Sequence, residues 1–376
     1  MSATILPPSE VVVPVAAMVR GGWLYRRNFD LLLIAGTAGL GVVAGGAVVL
    51  RPEWFPTLLI LDLWLLGYHH VIATFTRLSF DRKSFQEHRF LVLGLPVIVF
   101  AATLGVCLLW GEWAIATTYF VWQWFHYSRQ SYGVARAYRR QSGNGVGVND
   151  SALTAVIYGL PLAGIAFRCF QQPEYFLTMP IKLPIISGEV VVAALAFAIG
   201  GLIWWAVTQV REWRSGRWSA PLNLYLASHC LIYYVGYLAI TDINYGWLAI
   251  NVWHNAQYLL FVWMFNVRRV AREGKQAGLL EVLCRPGWRH VMLYFVTTML
   301  LTTIVYGLTW MLLRTSLLAA IPAASLIVYQ AINFQHYIVD GIIWKSNRQR
   351  GDAARGAGGT QPEDQHRPLI PEAVHD

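Results

Sequence analysis

The sequence predicts an all-α integral membrane protein, a polytopic helical bundle of about ten transmembrane helices, on three observations. Of its 376 residues, 56% are hydrophobic and only 13% charged, whereas a soluble domain carries about a quarter charged residues. Ten apolar runs reach the roughly 20 residues a helix needs to cross a ~30 Å hydrocarbon core. The basic residues between those runs alternate from one side to the other, as the positive-inside rule requires of a membrane bundle. With no water in hydrocarbon to satisfy the backbone, each run is expected to be a helix and not an open strand.

The elements follow in chain order. Residues 1–29 read as a cytoplasmic tail: the apolar stretch Val11 to Met18 is short, contains Pro14 and lacks the basic flank of a signal peptide. Spans are expected at 30–50 and 57–77, followed by the basic loop Arg77, Arg82, Lys83 and Arg89. Spans 90–110 and 114–134 lead to Arg136, Arg139 and Arg140, and spans 152–170 and 190–210 lead to Arg211, Arg214 and Arg217. The loop 171–188 between the last two contains three prolines and is expected to cap the outer face. Spans 221–241 and 247–267 precede a basic cluster from Arg268 to Arg289, within which Val270 to Leu283 is expected to lie as a short interfacial helix. Spans 291–313 and 318–344 complete the domain at residues 30–345, and the polar, Gly-, Gln- and Pro-containing stretch 346–376 reads as a disordered cytoplasmic tail.

With both termini cytoplasmic, 24 of the 29 Lys and Arg fall on the inner side. Arg51, Arg168, Lys182 and Arg314 fall outside, and Arg129 lies within a span. The net charge of +9 is therefore a topological signal facing anionic lipid, with no nucleic-acid partner implied. The chain reads as an integral protein of a bacterial inner membrane. Its four scattered cysteines form no C-x-x-C pair and no disulfide framework.

Histidine is expensive in hydrocarbon and marks a functional site by default. Here the pair His69–His70, His126, His229, His254 and His336 all fall inside expected spans. At 1.5 Å per residue, His69, His126, His229 and His336 lie roughly 10–16 Å from the cytoplasmic boundary. On the same measure His254 lies roughly 20 Å in. They come from helices running in both directions, so a shared depth predicts one polar site. His69 and His70 differ by about 100° of helical rotation, so at most one points into it. On the tenth span Asn333, His336 and Asp340 share a face. On the eighth, Asn251, His254, Asn255 and Gln257 form a polar stripe that suggests interhelical hydrogen bonds or a wet cavity. On the second, Asp62 and His69 are seven residues apart and share a face. His229 stands alone and fits a packing histidine at least as well.

Three or four imidazoles with a carboxylate suit iron, zinc or copper better than magnesium or calcium. The expected metal ligands are His126, His254, His336, one of His69 and His70, and Asp340, with Asp340 alternatively orienting a ligand. Arg129 is expected either to pair with Asp340 or stabilise an anion, or simply to snorkel to the nearby boundary. Iron would support oxygen chemistry and zinc hydrolysis. A site in the bilayer suits a hydrophobic lipid or isoprenoid substrate, and no G-x-S-x-G elbow, Walker loop or Rossmann fingerprint is present. The leading expectation is thus a non-haem iron membrane oxidoreductase, which would need an electron-transfer partner for multi-turnover oxidation unless it is a dioxygenase. A transporter or ion-coupled channel that relays protons through the histidines and Asp340 is the main alternative. A haem protein with histidine axial ligands is a further one.

Two fragments carry a resemblance. His126-Tyr127-Ser128-Arg129-Gln130 resembles the His-Ser-Arg-Arg-His stretch of the Brp/Blh-type membrane β-carotene dioxygenases, without its second histidine. His336-Tyr337-Ile338-Val339-Asp340 is similar to that family's histidine followed by an acid four or five residues later. The resemblance covers about 15 residues, and the family's Pro-His-Gly segment is absent. It implies a polytopic fold whose histidines hold a non-haem iron that cleaves a carotenoid.

Overall fold

In the computed structural model the described residues are 22–80, 82–142, 151–273, 279–315 and 323–343. They form helical rods at nearly every place an apolar run was expected: α1 (Arg27–Leu50), α2 (Pro52–Ser79), α3 (Arg82–Trp110), α4 (Glu112–Gln141), α5 (Ser151–Gln171), α6 (Gly188–Arg214), α7 (220–239), α8 (Ile243–Glu273), α9 (Trp288–Thr315) and α10 (Ala324–Ile343). The N-terminal tail before Gly22 and the tail from residue 346 lie outside the described residues, as do residues 274–278 of the expected interfacial helix. Of that helix, Leu279–Leu283 forms one turn.

Six rods, α1, α2, α3, α5, α6 and α9, are long and apolar enough to cross a membrane by length and composition. The four others coincide with expected spans and carry the buried polar side chains, among them Gln123 and His126 on α4, His229 on α7, Asn251 and His254 on α8, and His336 and Asp340 on α10. For α8 the lower apolarity has a physical reason: it is walled by protein. Every residue of α8 from Gly246 to Leu259 is buried, packed against α1, α2 and α7. A helix with protein on all sides has no need of an apolar outer face. By contrast α3, α6 and α9 expose most of their apolar surface.

Close backbone approach brings α8 into the middle. A Cβ on Gly41 of α1 would stand 2.5 Å from the Ala249 carbonyl, and one on Gly45 would stand 2.7 Å from the Ala249 Cβ. This is the small-residue spacing that lets membrane helices touch. At the N-terminal end of α8 a Cβ on Gly246 would come 2.0 Å from the Gly236 carbonyl. Arg168, expected in the outer loop, is instead fully buried there. Its guanidinium donates to the carbonyls of Gly236 (2.9 Å), Ile240 (2.6 Å) and Thr241 (2.6 Å), which the π-turn Tyr234–Ala239 leaves open at the end of α7. Gly246→Ala is therefore expected to destabilise the protein by about 1–3 kcal/mol or more through overpacking. The readout is its thermal midpoint in detergent, and an unchanged midpoint would show that the two backbones are not in contact.

The loop after α5 folds into a two-stranded hairpin, β1 (Tyr175–Phe176) with β2 (Met179–Pro180). Phe176 is fully buried against Phe120 and Trp247, so the hairpin closes the ends of α4 and α8, in keeping with a cap.

Candidate metal centre

Four helices bring imidazoles together at the heart of the bundle: His70 on α2, His126 on α4, His254 on α8 and His336 on α10. One ligand atom from each of His70, His126, His336 and Asp340 lies within 4.8 Å of the other three, and all four residues are buried. The His254 ring centroid is 4.9 Å from that of His70 and 5.2 Å from that of His126. Three imidazoles have a tyrosine ring behind them: Tyr258 behind His70 (4.0 Å), Tyr337 behind His126 (4.3 Å) and Tyr127 behind His254 (3.9 Å). Such packing locks the rotamers that a ligand set must hold.

A hydrogen-bond chain orients His336. Tyr258 donates to Asp340 Oδ1 at 2.7 Å, Thr74 Oγ1 lies 2.8 Å from the Tyr258 hydroxyl, and His336 Nδ1 lies 3.0 Å from Thr74 Oγ1. With the Tyr258 proton given to Asp340, Tyr258 accepts from Thr74 and Thr74 from His336 Nδ1, while the His70 carbonyl, 3.4 Å from Thr74 Oγ1, is a second acceptor for the Thr74 proton. A proton on Nδ1 leaves His336 Nε2 with a lone pair, facing His70 Nε2 at 2.8 Å. His70 Nδ1 and His126 Nε2 are buried without a hydrogen-bond partner. Imidazole nitrogens and a carboxylate brought this close together form a group that could hold a metal ion.

His69 does not enter the cluster. Its Nε2 lies 2.5 Å from Thr298 Oγ1 on α9, and its ring packs edge-on against Phe295. The reason is the π-turn Leu63–Tyr68, which places one extra residue between Asp62 and the histidine pair. The face of Asp62 therefore continues to His70 and not to His69, which corrects the expected seven-residue pairing. Arg129 is also elsewhere: its guanidinium lies 5.8 Å from the Tyr132 ring. The cation within electrostatic reach of Asp340 is Arg77, buried at 9% exposure over the Phe265 ring and donating to the Ile343 carbonyl at 3.3 Å. His229 sits apart, 3.1 Å from the Ile157 carbonyl, as a packing histidine does.

Thr74, Arg77 and Tyr258 were not singled out in the sequence, although a signal existed. Thr74 and Arg77 stand four and seven residues after His70, and Tyr258 stands four after His254, so each shares a helix face with an imidazole. Beside the cluster is a cavity of about 50 Å³, lined by His70, His126, His254 and His336 and, beyond them, by Asn255 and Asn333. No protein-family model, curated protein or solved structure matches the chain.

Proposed function

We propose that this chain is a metal-dependent membrane oxidoreductase whose ten rods all cross the bilayer, with both termini on the cytoplasmic side of a bacterial inner membrane. His70, His126, His336 and Asp340 hold the metal, with His254 beside them. The observation that carries this reading is the convergence of those four ligand groups within 4.8 Å, deep in the bundle, with two ring nitrogens left without partners. The convergence is what separates these histidines from His229, a lone packing histidine that spends Nε2 on the Ile157 carbonyl and likewise leaves its Nδ1 without a partner.

Iron is the metal that best joins this donor set to oxygen chemistry, and it supplies Lewis-acid and redox reactivity at its open positions. The chain's own residues set the conditions: the tyrosine rings fix the imidazoles, Thr74 and Tyr258 hold the tautomer of His336, and the protein walls exclude bulk water. The substrate is a lipid or isoprenoid that reaches the site from the bilayer, and an oxidase turning over repeatedly would draw electrons from a separate partner. The likeness to Brp/Blh-type dioxygenases gains support because its two fragments meet here, His126 from one and His336 with Asp340 from the other.

Metal content by mass spectrometry, with an ultraviolet–visible spectrum of detergent-purified protein, tests the proposal. One or two iron atoms per chain without a Soret band is the expected result. Zinc would redirect the chemistry to hydrolysis. A protein still metal-free after anaerobic reconstitution with iron would overturn the proposal in favour of transport.

A further inference from the structure

The cavity has a second polar wall that the metal donors do not use. Asp62 of α2 is 3% exposed, and its partners are two amides of α8: Asn251 Nδ2 at 2.5 Å and Asn255 Nδ2 at 3.5 Å. The direction of this network is fixed from its far end. The Trp247 indole can only donate, and it gives its proton to Gln123 Oε1 at 2.7 Å. Gln123 must then turn its NH2 toward Tyr119 (2.9 Å) and Tyr127 (2.5 Å). Tyr127 passes its own proton to Asn251 Oδ1, so Asn251 offers its NH2 to Asp62. Every polar atom along the chain is spent.

Asn255 is the exception. It turns its NH2 toward Asp62, at the long end of hydrogen-bond range, and its Oδ1 accepts nothing from a described residue. The side chain is 5% exposed and lines the cavity next to His254. This carbonyl opens onto the cavity with no protein donor of its own, so a ligand that displaces water there must bring a hydrogen-bond donor to avoid leaving it unmet. Its volume of about 50 Å³ admits the polar end of a molecule and excludes an entire chain. The half-buried lining residues Leu63, Gly67 and Tyr68 on α2 and Asn333 on α10 mark the side from which a tail would extend.

Resting on the reading of this cavity as the substrate site, we infer that the substrate is a hydroxyl-bearing amphiphile. Its O–H donates to Asn255 Oδ1 beside the metal donors, and its hydrocarbon tail leaves between α2 and α10. A pure hydrocarbon would leave the Asn255 carbonyl unmet and is not the preferred ligand.

Thermal unfolding in nanodiscs with 1-dodecanol, dodecyl methyl ether or dodecane tests this, since the three share a chain but only the first donates a hydrogen bond. Dodecanol is expected to raise the midpoint by several degrees, the ether and the alkane to leave it in place, and Asn255→Leu to abolish the dodecanol shift. Equal shifts with all three, no shift with any, or a full shift retained in Asn255→Leu would each overturn the inference. Should Asn255→Leu fail to fold, the alcohol-against-ether contrast in the unsubstituted protein decides. Bound metal assayed in the same samples keeps the two claims apart: an alcohol-specific shift in protein that binds no metal would sink the metal centre and leave the head-group site standing.

Discussion

Alanine at His126 or at His336 is expected to give a folded protein that purifies without bound metal. Each substitution removes one imidazole from a set in which four ligand groups lie within 4.8 Å, leaving two imidazoles and a carboxylate, and His254 stands beside that set without belonging to it. His70→Ala is expected to behave alike, whereas His69→Ala should keep its metal, because His69 faces Thr298 on α9. That adjacent pair is a demanding control: the two residues share depth, helix and chemistry, and differ by about 100° of rotation. The variants differ in stability as well as in ligation. Truncating a buried ring leaves a cavity, at a cost of about 3–5 kcal/mol by analogy with large aromatic side chains. Circular dichroism and the thermal midpoint should therefore be read beside metal content. Stoichiometric metal in both His126→Ala and His336→Ala would end this version of the site.

Much of the bundle was legible because hydropathy reports directly on contact with lipid. The rods most exposed on the outside, α3, α6 and α9, are apolar runs with few interruptions. The histidines were legible for the opposite reason, since a polar side chain at depth must find a partner. Depth was only a partial guide: His126 and His336 were set at one level with His69 and His229, which stand apart from the cluster, whereas His254, set deeper, lies beside it. What could not be read is rotation about each helix axis. A π-turn at Leu63–Tyr68 shifts the face by one residue, and nothing in the composition of Leu63 to Gly67 announces it. Arg77 shows a related blind spot. It reads as the first charge of a cytoplasmic loop, yet α2 runs on to Ser79 and Arg77 is buried against Phe265 and the Ile343 carbonyl. Arg129, which the same sequence reading set against Asp340, turns outward to Tyr132. Charge counting places a residue along the membrane normal and leaves its azimuth open.

Tyr258→Phe is expected to weaken metal binding by about 10–100-fold, the cost found when a group that orients a metal-ligating histidine is removed. The hydroxyl occupies the middle of the chain from His336 Nδ1 through Thr74 to Asp340, with links of 3.0, 2.8 and 2.7 Å. Without it, Asp340 loses the Tyr258 donor, and the Thr74 proton is left to choose between the His70 carbonyl and His336 Nδ1. The second choice would drive the imidazole proton to Nε2, the nitrogen that faces His70, and cancel its lone pair. Thr74→Val breaks the same chain one link nearer the imidazole and should cost a similar factor. Because either substitution severs a single path, the double variant should bind little worse than the weaker single one, a non-additivity that independent packing defects would not produce. The phenylalanine ring keeps the stacking on His70, so the fold should be unaffected and the loss confined to affinity. Competition titration against a chelator of known strength reads the effect. Unchanged affinity in Tyr258→Phe would show that the chain does not set the tautomer of His336. Additive losses in the double variant would show that Thr74 and Tyr258 act on the centre separately.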